Sequence, residues 1–157
     1  MSWLERVGTE LASSRAGGWI YDKICRRIDR VLLALSRGRL STGPAQTLLL
    51  RTRGARSGRP RSVPLAYVTR GEDLVLVASK GGHAQHPGWY HNLRAHPEAS
   101  VEIRGRRERV VAREAEGAER AELWDRAVAF YPGYAAYQRR AGARRIPVMV
   151  LSRAPTR

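Results

Sequence analysis

Along the first quarter of the chain the apolar residues fall at Ile20, Ile24, Ile28, Val31, Leu32 and Leu35. Steps of three and four residues put them on one face of a helix. Lys23, Arg26, Arg27 and Arg30 fall on the other side. A break at Ser41-Thr42-Gly43-Pro44 ends this texture and divides the chain into a helical segment, 1–43, and a second part, 44–157. Beyond the break the pattern predicts strands over 47–52, 61–69 and 74–79. A glycine- and arginine-rich turn over 54–60 separates the first two, and Gly71-Glu72-Asp73 turns between the second and third. Pro64 lies inside the second strand, which places that strand at a sheet edge or on a bulge, because proline has no N–H to donate. The unbroken run Leu74, Val75, Leu76, Val77, Ala78 predicts burial on both faces.

Residues 80–82 read as a loop and 87–95 as a short helix, with Pro87 near its first turn and Pro97 beyond its stop. A hairpin about Gly105 joins strands over 99–104 and 106–113. An amphipathic helix over 117–130 gathers Leu123, Trp124, Ala127 and Val128 on one face. A further helical piece over 131–141 and a strand over 147–152 complete the pattern. Five or six short strands with three helices predict an α+β domain or a small barrel.

A length of 157 residues suits one domain. The single cysteine, Cys25, cannot form an internal disulfide, so a reducing compartment is expected, with the thiol serving as a small apolar group. The apolar run from Val31 to Leu35 is too short for a secretory leader or a membrane span, which makes the cytoplasm the expected location. Lysine and arginine total 29 against 14 acids, a formal net charge of +15, and 27 of the 29 are arginine. Some of that bias reflects a GC-rich genome. The net sign still favours polyanionic partners: nucleic acid, an anionic membrane or a multiply charged cofactor. The aromatics sit in helices and loops and form no strip on a sheet, which argues against a specific nucleic-acid partner.

Several familiar chemistries are excluded. Gly54 to Gly58 lacks the Gly-Lys-Ser/Thr ending of a P-loop, and Ser57 is not in a Gly-x-Ser-x-Gly elbow. His86, His91 and His96 recur every five residues, a helical rotation of about 500°, so they share no face and no metal site is expected.

Four segments remain. In Gly54-Ala55-Arg56-Ser57-Gly58-Arg59-Pro60-Arg61 the glycines let backbone N–H groups approach an anion, while Arg56 offers a planar fork and Ser57 a hydroxyl. A plain basic hairpin turn accounts for the same residues equally well. Ala78-Ser79-Lys80-Gly81-Gly82 ends a buried strand and carries one of only two lysines. His86-Pro87-Gly88-Trp89-Tyr90-His91-Asn92-Leu93 reads as a core helix using Trp89 and Leu93. Tyr131, Tyr134 and Tyr137 recur every three residues, along one side of a helical turn. They suit core packing, or a wall that offers flat rings and hydroxyl protons to a planar ligand.

In this order and spacing, over residues 48–151, the four segments resemble the deazaflavin-dependent nitroreductase family, an actinobacterial group that uses coenzyme F420. Segments 52–64 and 77–97 carry most of the likeness. The resemblance implies a flavin-reductase-like split β-barrel, mostly antiparallel, with peripheral helices and the N-terminal amphipathic helix. Coenzyme F420 would lie in a groove. By carry-over, Gly54, Arg56, Ser57, Gly58 and Arg61 would serve its phosphate and tail, with Lys80 and Gly81 nearby. Pro64, the backbone over 65–68 and 77–79 and the side chain of Trp89 would border the ring. Tyr131, Tyr134, Tyr137 and Ser79 would face a small acceptor: a quinone, a nitroaromatic or an unsaturated lactone. A binding protein of the same fold, holding F420 or a lipid without turnover, is the alternative. The chain is expected to act as a monomer or weak dimer, with no metal.

The helix over 20–35 is expected to pack on the domain and to touch anionic membrane only weakly, at the inner face of the plasma membrane. Each cation beside such a surface is worth about 1 kcal/mol and salt screens it. Co-sedimentation with anionic vesicles should therefore be partial at low salt and lost at high salt; no binding at low salt ends the membrane idea.

Overall fold

The computed structural model describes residues 46–155; the predicted N-terminal helix and Cys25 lie outside them. Seven strands, β1 (Thr47–Arg53), β2 (Pro60–Ala66), β3 (Val68–Arg70), β4 (Asp73–Val77), β5 (Glu98–Ile103), β6 (Arg106–Glu114) and β7 (Val148–Arg153), form one sheet. Three α-helices accompany them: α1 (Gly88–Ala95), α2 (Gly117–Phe130) and α3 (Gly133–Ala141). No helix among the described residues is long and apolar enough to cross a membrane.

The sheet order is β2-β1-β5-β6-β7-β4-β3, and every pairing is antiparallel. The two edge strands are consecutive in sequence and separated by Tyr67 alone. In a flat sheet, six inter-strand steps of ~4.8 Å would hold those edges about 29 Å apart. Two Cα–Cα steps reach less than about 8 Å. The sheet is therefore rolled until its edges meet at Tyr67, whose N–H donates to the Gln46 carbonyl at 3.2 Å. This is the split barrel, and it explains why the single predicted strand over 61–69 is two strands: the chain turns a corner from one edge to the other.

Register sorts the side chains. Leu48, Leu50, Leu76, Val101, Val110, Ala112, Met149 and Leu151 fill the barrel interior. On the opposite face of β4 and β7, Val75, Val77, Val148 and Val150 lie under α2 and α3 with Leu123, Ala127 and Ile146. Covered on both sides, these two strands are apolar over Leu74–Val77 and Val148–Leu151, as the run from Leu74 to Ala78 predicted. The outer face of β6 is uncovered and alternates accordingly: Arg107, Arg109 and Arg113 are exposed, while Val110 and Ala112 are buried. The β5–β6 turn places Arg104 (φ 48) and Gly105 (φ 82) both in the left-handed region, as a tight two-residue hairpin requires. Pro64 lies on edge strand β2, where its missing N–H costs no ladder bond.

Two boundaries differ from the sequence reading. The third strand ends at Val77, because Ser79 adopts helical angles (φ −70, ψ −40). The last helix starts at Gly133, and Tyr131 caps the end of α2 with extended angles.

An ion network ties α2 to the sheet. Arg113 donates twice to Glu119, at 2.7 Å each, and Arg70 reaches Glu119 at 2.7 Å and Asp73 at 3.5 Å. Hydrogen bonds from Arg113 and Arg70 hold the Glu119 carboxyl down at about 2. A depressed carboxylate pKa contributes stability that is complete above its ordinary value of 4.5 and lost as pH falls through the folded value. Thermal unfolding should therefore show Glu119→Gln less stable than wild type at pH 7, with the gap closing as pH drops from 4.5 towards 2.

Candidate functional site

The C-terminal ends of β1, β4 and β6 and the N-terminal ends of β2, β5 and β7 meet at one end of the barrel, where α1 lies across the opening. Trp89, Tyr90 and Leu93 point down from α1 into the interior cluster. Two polar struts fix the helix. Towards β1, Asn92 Nδ2 donates to Thr52 Oγ1 at 3.0 Å, and Thr52 is a buried polar residue in a strand of leucines. Towards β6, the Tyr90 hydroxyl donates to Glu114 Oε2 at 2.8 Å, and Arg94 donates to the same oxygen at 2.8 Å. Burial, followed by this bond to Glu114, pushes the Tyr90 pKa up, so the phenol keeps its proton.

The Gly54–Arg59 turn stands beside the first strut. Asn92 Oδ1 accepts from the Ala55 N–H at 2.9 Å, so one side-chain amide links α1, β1 and the turn. Inside the turn, Gly54 N–H donates to Arg59 O, Gly58 N–H to Gly54 O, and Arg59 N–H to Ser57 Oγ. Gly58 holds φ +65, and a Cβ on Gly54 would collide with Ser57 Oγ. Gly58 is therefore favoured by the backbone path, and Gly54 leaves room for the Ser57 hydroxyl. The turn and the strand ends that flank it carry Arg53, Arg56, Arg59 and Arg61, all exposed, and none forms an ion pair with another described residue. Four guanidinium forks with no carboxylate among them suit a guest with several negative charges.

A third strut closes the site from the α3 side. Ser79, Lys80, Gly81 and Gly82 form a single 3-10 turn and its cap after β4. It packs so closely on α3 that a Cβ on Gly82 would meet the Tyr137 carbonyl. Lys80 holds φ 48, uncommon for a residue with a side chain. Arg140 donates to Gly81 O at 2.9 Å, and Arg144 donates to Ala78 O, Ser79 O and His83 O. Arg144 Nη1 also meets His86 Nδ1 at 3.0 Å. Burial and then the Arg144 charge depress the His86 pKa, which favours a neutral ring accepting at Nδ1.

The three tyrosines form one cluster. The Tyr131 and Tyr134 rings lie 5.2 Å apart, Tyr131 and Tyr137 6.0 Å, and Tyr134 and Tyr137 6.2 Å. The Tyr131 and Tyr137 hydroxyls are 3.2 Å apart. Tyr134 and Tyr137 are each 8% exposed and pack with Val77, Ala127, Ala141 and Ile146, whereas Tyr131 is half-buried. The structure thus brings Ser79, Lys80 and Gly81 against the tyrosine helix, and Trp89 and the Gly54–Arg61 turn together through α1. Pro64 faces away from the barrel interior, paired with Leu49. Sequence reasoning missed the struts: Asn92, Glu114, Arg140 and Arg144. Asn92 was visible within the His86–Leu93 segment, but nothing local announced its partners 37 and 40 residues away.

The family model for F420H(2)-dependent quinone reductases matches residues 26–153. An F420H(2)-dependent quinone reductase of Mycobacterium tuberculosis is 36% identical over 155 residues, covering 96% of each chain. Among solved structures, an F420H2-dependent reductase is 40% identical with a TM-score of 0.64, over 72% of this chain and 99% of that one. A chain solved as a domain-swapped dimer is 36% identical with a TM-score of 0.65, over 86% and 98%.

The Asn92 strut has a measurable worth. Asn92→Ala strands a buried Thr52 hydroxyl and should cost about 1–3 kcal/mol in thermal unfolding. Asn92→Asp can accept from both the Ala55 N–H and the Thr52 hydroxyl and should cost less.

Proposed function

This chain belongs to the family of F420H(2)-dependent quinone reductases, whose coenzyme is F420, and on that premise we propose that it passes a hydride to a quinone at the α1 end of its barrel. The observation that carries this reading is the Gly54–Arg61 turn. Its three arginines, with Arg53 just before it, have no ion-pair partner among the described residues and match a coenzyme with a phosphate and a tail of carboxylates, and a quinone acceptor follows from the family. Nitroaromatics and unsaturated lactones, as electron-poor acceptors, remain further substrates to test.

When bound, reduced F420 supplies the hydride, and the protein supplies distance, angle and polarity. In this reading Arg56, Ser57, Gly54 and Gly58 hold the phosphate, and Arg61, Lys80 and Gly81 meet the tail. Trp89, Pro64 and the backbone over 65–68 and 77–79 border the ring. Tyr131, Tyr134, Tyr137 and Ser79 face the acceptor. A quinone that gains a hydride becomes a hydroquinone anion and needs one proton. The adjacent hydroxyls of Tyr131 and Tyr137 are the proposed source, and the Ser79 hydroxyl stabilises the growing charge.

Fluorescence titration with F420 tests the coenzyme: binding should be micromolar or tighter, and FMN should bind more weakly. Equal affinity for FMN counts against the reading. Arg56→Ala should raise the coenzyme Kd about tenfold to a hundredfold, the worth of one charge-assisted hydrogen bond of roughly 1.5–3 kcal/mol, without unfolding the barrel. In steady-state assays with several quinones, Tyr131→Phe or Tyr137→Phe should lower kcat more than coenzyme affinity. Wild-type turnover by both variants would leave the tyrosines as packing residues.

A further inference from the structure

Arg144 lies in the irregular segment between α3 and β7, far in sequence from the 78–86 segment. Its backbone is fixed first. Gln138, on α3, donates through Nε2 to Arg144 O at 2.9 Å and accepts at Oε1 from the Ile146 N–H at 2.9 Å. The side chain then reaches the 78–86 segment from behind. Nε donates to His83 O at 2.8 Å, Nη1 to Ala78 O at 3.2 Å, and Nη2 to Ser79 O at 2.7 Å, while Nη1 also faces His86 Nδ1. All three guanidinium nitrogens are engaged, so the plane of the group is set along with its position.

That geometry fixes two peptide planes. In a trans peptide the C=O and the following N–H point in opposite directions. With the Ala78 and Ser79 carbonyls drawn to Arg144, the Ser79 and Lys80 N–H groups are turned to the opposite side. Lys80 is held there at φ 48, between the Arg144 contacts on residues 78, 79 and 83 and the Arg140 bond to Gly81 O. A left-handed conformation is unfavourable for a side-chain-bearing residue and persists only where its surroundings over-determine it. The arginine bonds do so.

We propose that Arg144 is the positioning residue of this site: its guanidinium fork sets the Ser79–Lys80 peptide that coenzyme and acceptor both meet. The proposal rests on the functional reading above. The bonds to three carbonyls need a planar fork, which one ammonium cannot replace, and this separates positioning from mere positive charge.

Arg144→Ala and Arg144→Lys, with Arg109→Ala on the outer face of β6 as a control, provide the test. Misplacement by about 1 Å can cost a hundredfold in rate. Arg144→Ala should therefore lose about a hundredfold in kcat while the fluorescence-measured Kd for F420 rises less than about tenfold. Arg144→Lys should stay at least about tenfold below wild type in kcat. In amide hydrogen exchange without coenzyme, both variants should take up deuterium faster over 78–86 and unchanged over the strands. Wild-type kcat within about threefold in either variant overturns the proposal. So does an equal change in kcat and Kd, or faster exchange spread over the whole barrel. A wild-type protein that neither binds nor oxidises F420H2 would sink the functional reading instead. The exchange measurement then decides the clamp alone, unchanged uptake over 78–86 overturning it.

Discussion

Everything at the functional end depends on the closure of the sheet at Tyr67. Because β2 and β3 are the two edges of one sheet and consecutive in the chain, the sheet has no freedom to lie flat. Rolling it creates an interior, filled by leucines, valines and Met149, and two open ends. One end gathers the β1–β2 turn, the exit of β4 and the entry to β7, segments that lie far apart in sequence. Helix α1 then covers that end with Trp89, Tyr90 and Leu93, and its polar side chains reach outward to whatever stands at the rim. The exit of β4 and the entry to β7 are neighbours in any case, but the β1–β2 turn comes round to them only because the sheet is rolled.

The struts around α1 also divide the charge. On the β1 side the rim carries Arg53, Arg56, Arg59 and Arg61, with no acid among the described residues paired to them. On the β6 side Glu114 is engaged by Tyr90 and Arg94. The helix between them keeps the carboxylate from neutralising the turn. With so large a positive balance, a weak general attraction for anions is expected everywhere. At this rim the Gly-rich backbone and Asn92 set the turn in one shape.

Much of the architecture was legible in the sequence, for identifiable reasons. The run Leu74 to Ala78 gave away a strand buried on both faces, and β4 does lie between the interior and the two outer helices. Pro64 marked an edge. The corner at Tyr67 left no trace, since tyrosine is a good strand residue and the change of edge is set by pairing partners far along the chain. Residue periodicity put the tyrosines on one side of a helix; Tyr131 instead lies before α3, and its ring joins the others because Gly133 lets it fold back. The segments singled out were legible as types, a glycine- and arginine-rich turn, a lysine at a strand end and aromatic groups, but their convergence entered only through the family resemblance. Arg144 was hidden among 27 arginines, distinguished from the rest only by three carbonyls that come together on folding.

Gly133 has a role set by what it lacks. The ring of Tyr131 occupies the volume that a Cβ at position 133 would need, and ring atoms, not backbone, are what that Cβ would meet. A side chain there would be accommodated by the ring swinging away from Tyr134 and Tyr137, with the helix left in place. The contour of the tyrosine wall is thus controlled by one small residue outside the wall. A glycine codon becomes an alanine codon by a single base change. Divergent copies of this gene could therefore acquire a differently shaped tyrosine cluster in one mutational step, with the Gly54–Arg59 turn, the barrel and the hydroxyl-bearing residues all untouched.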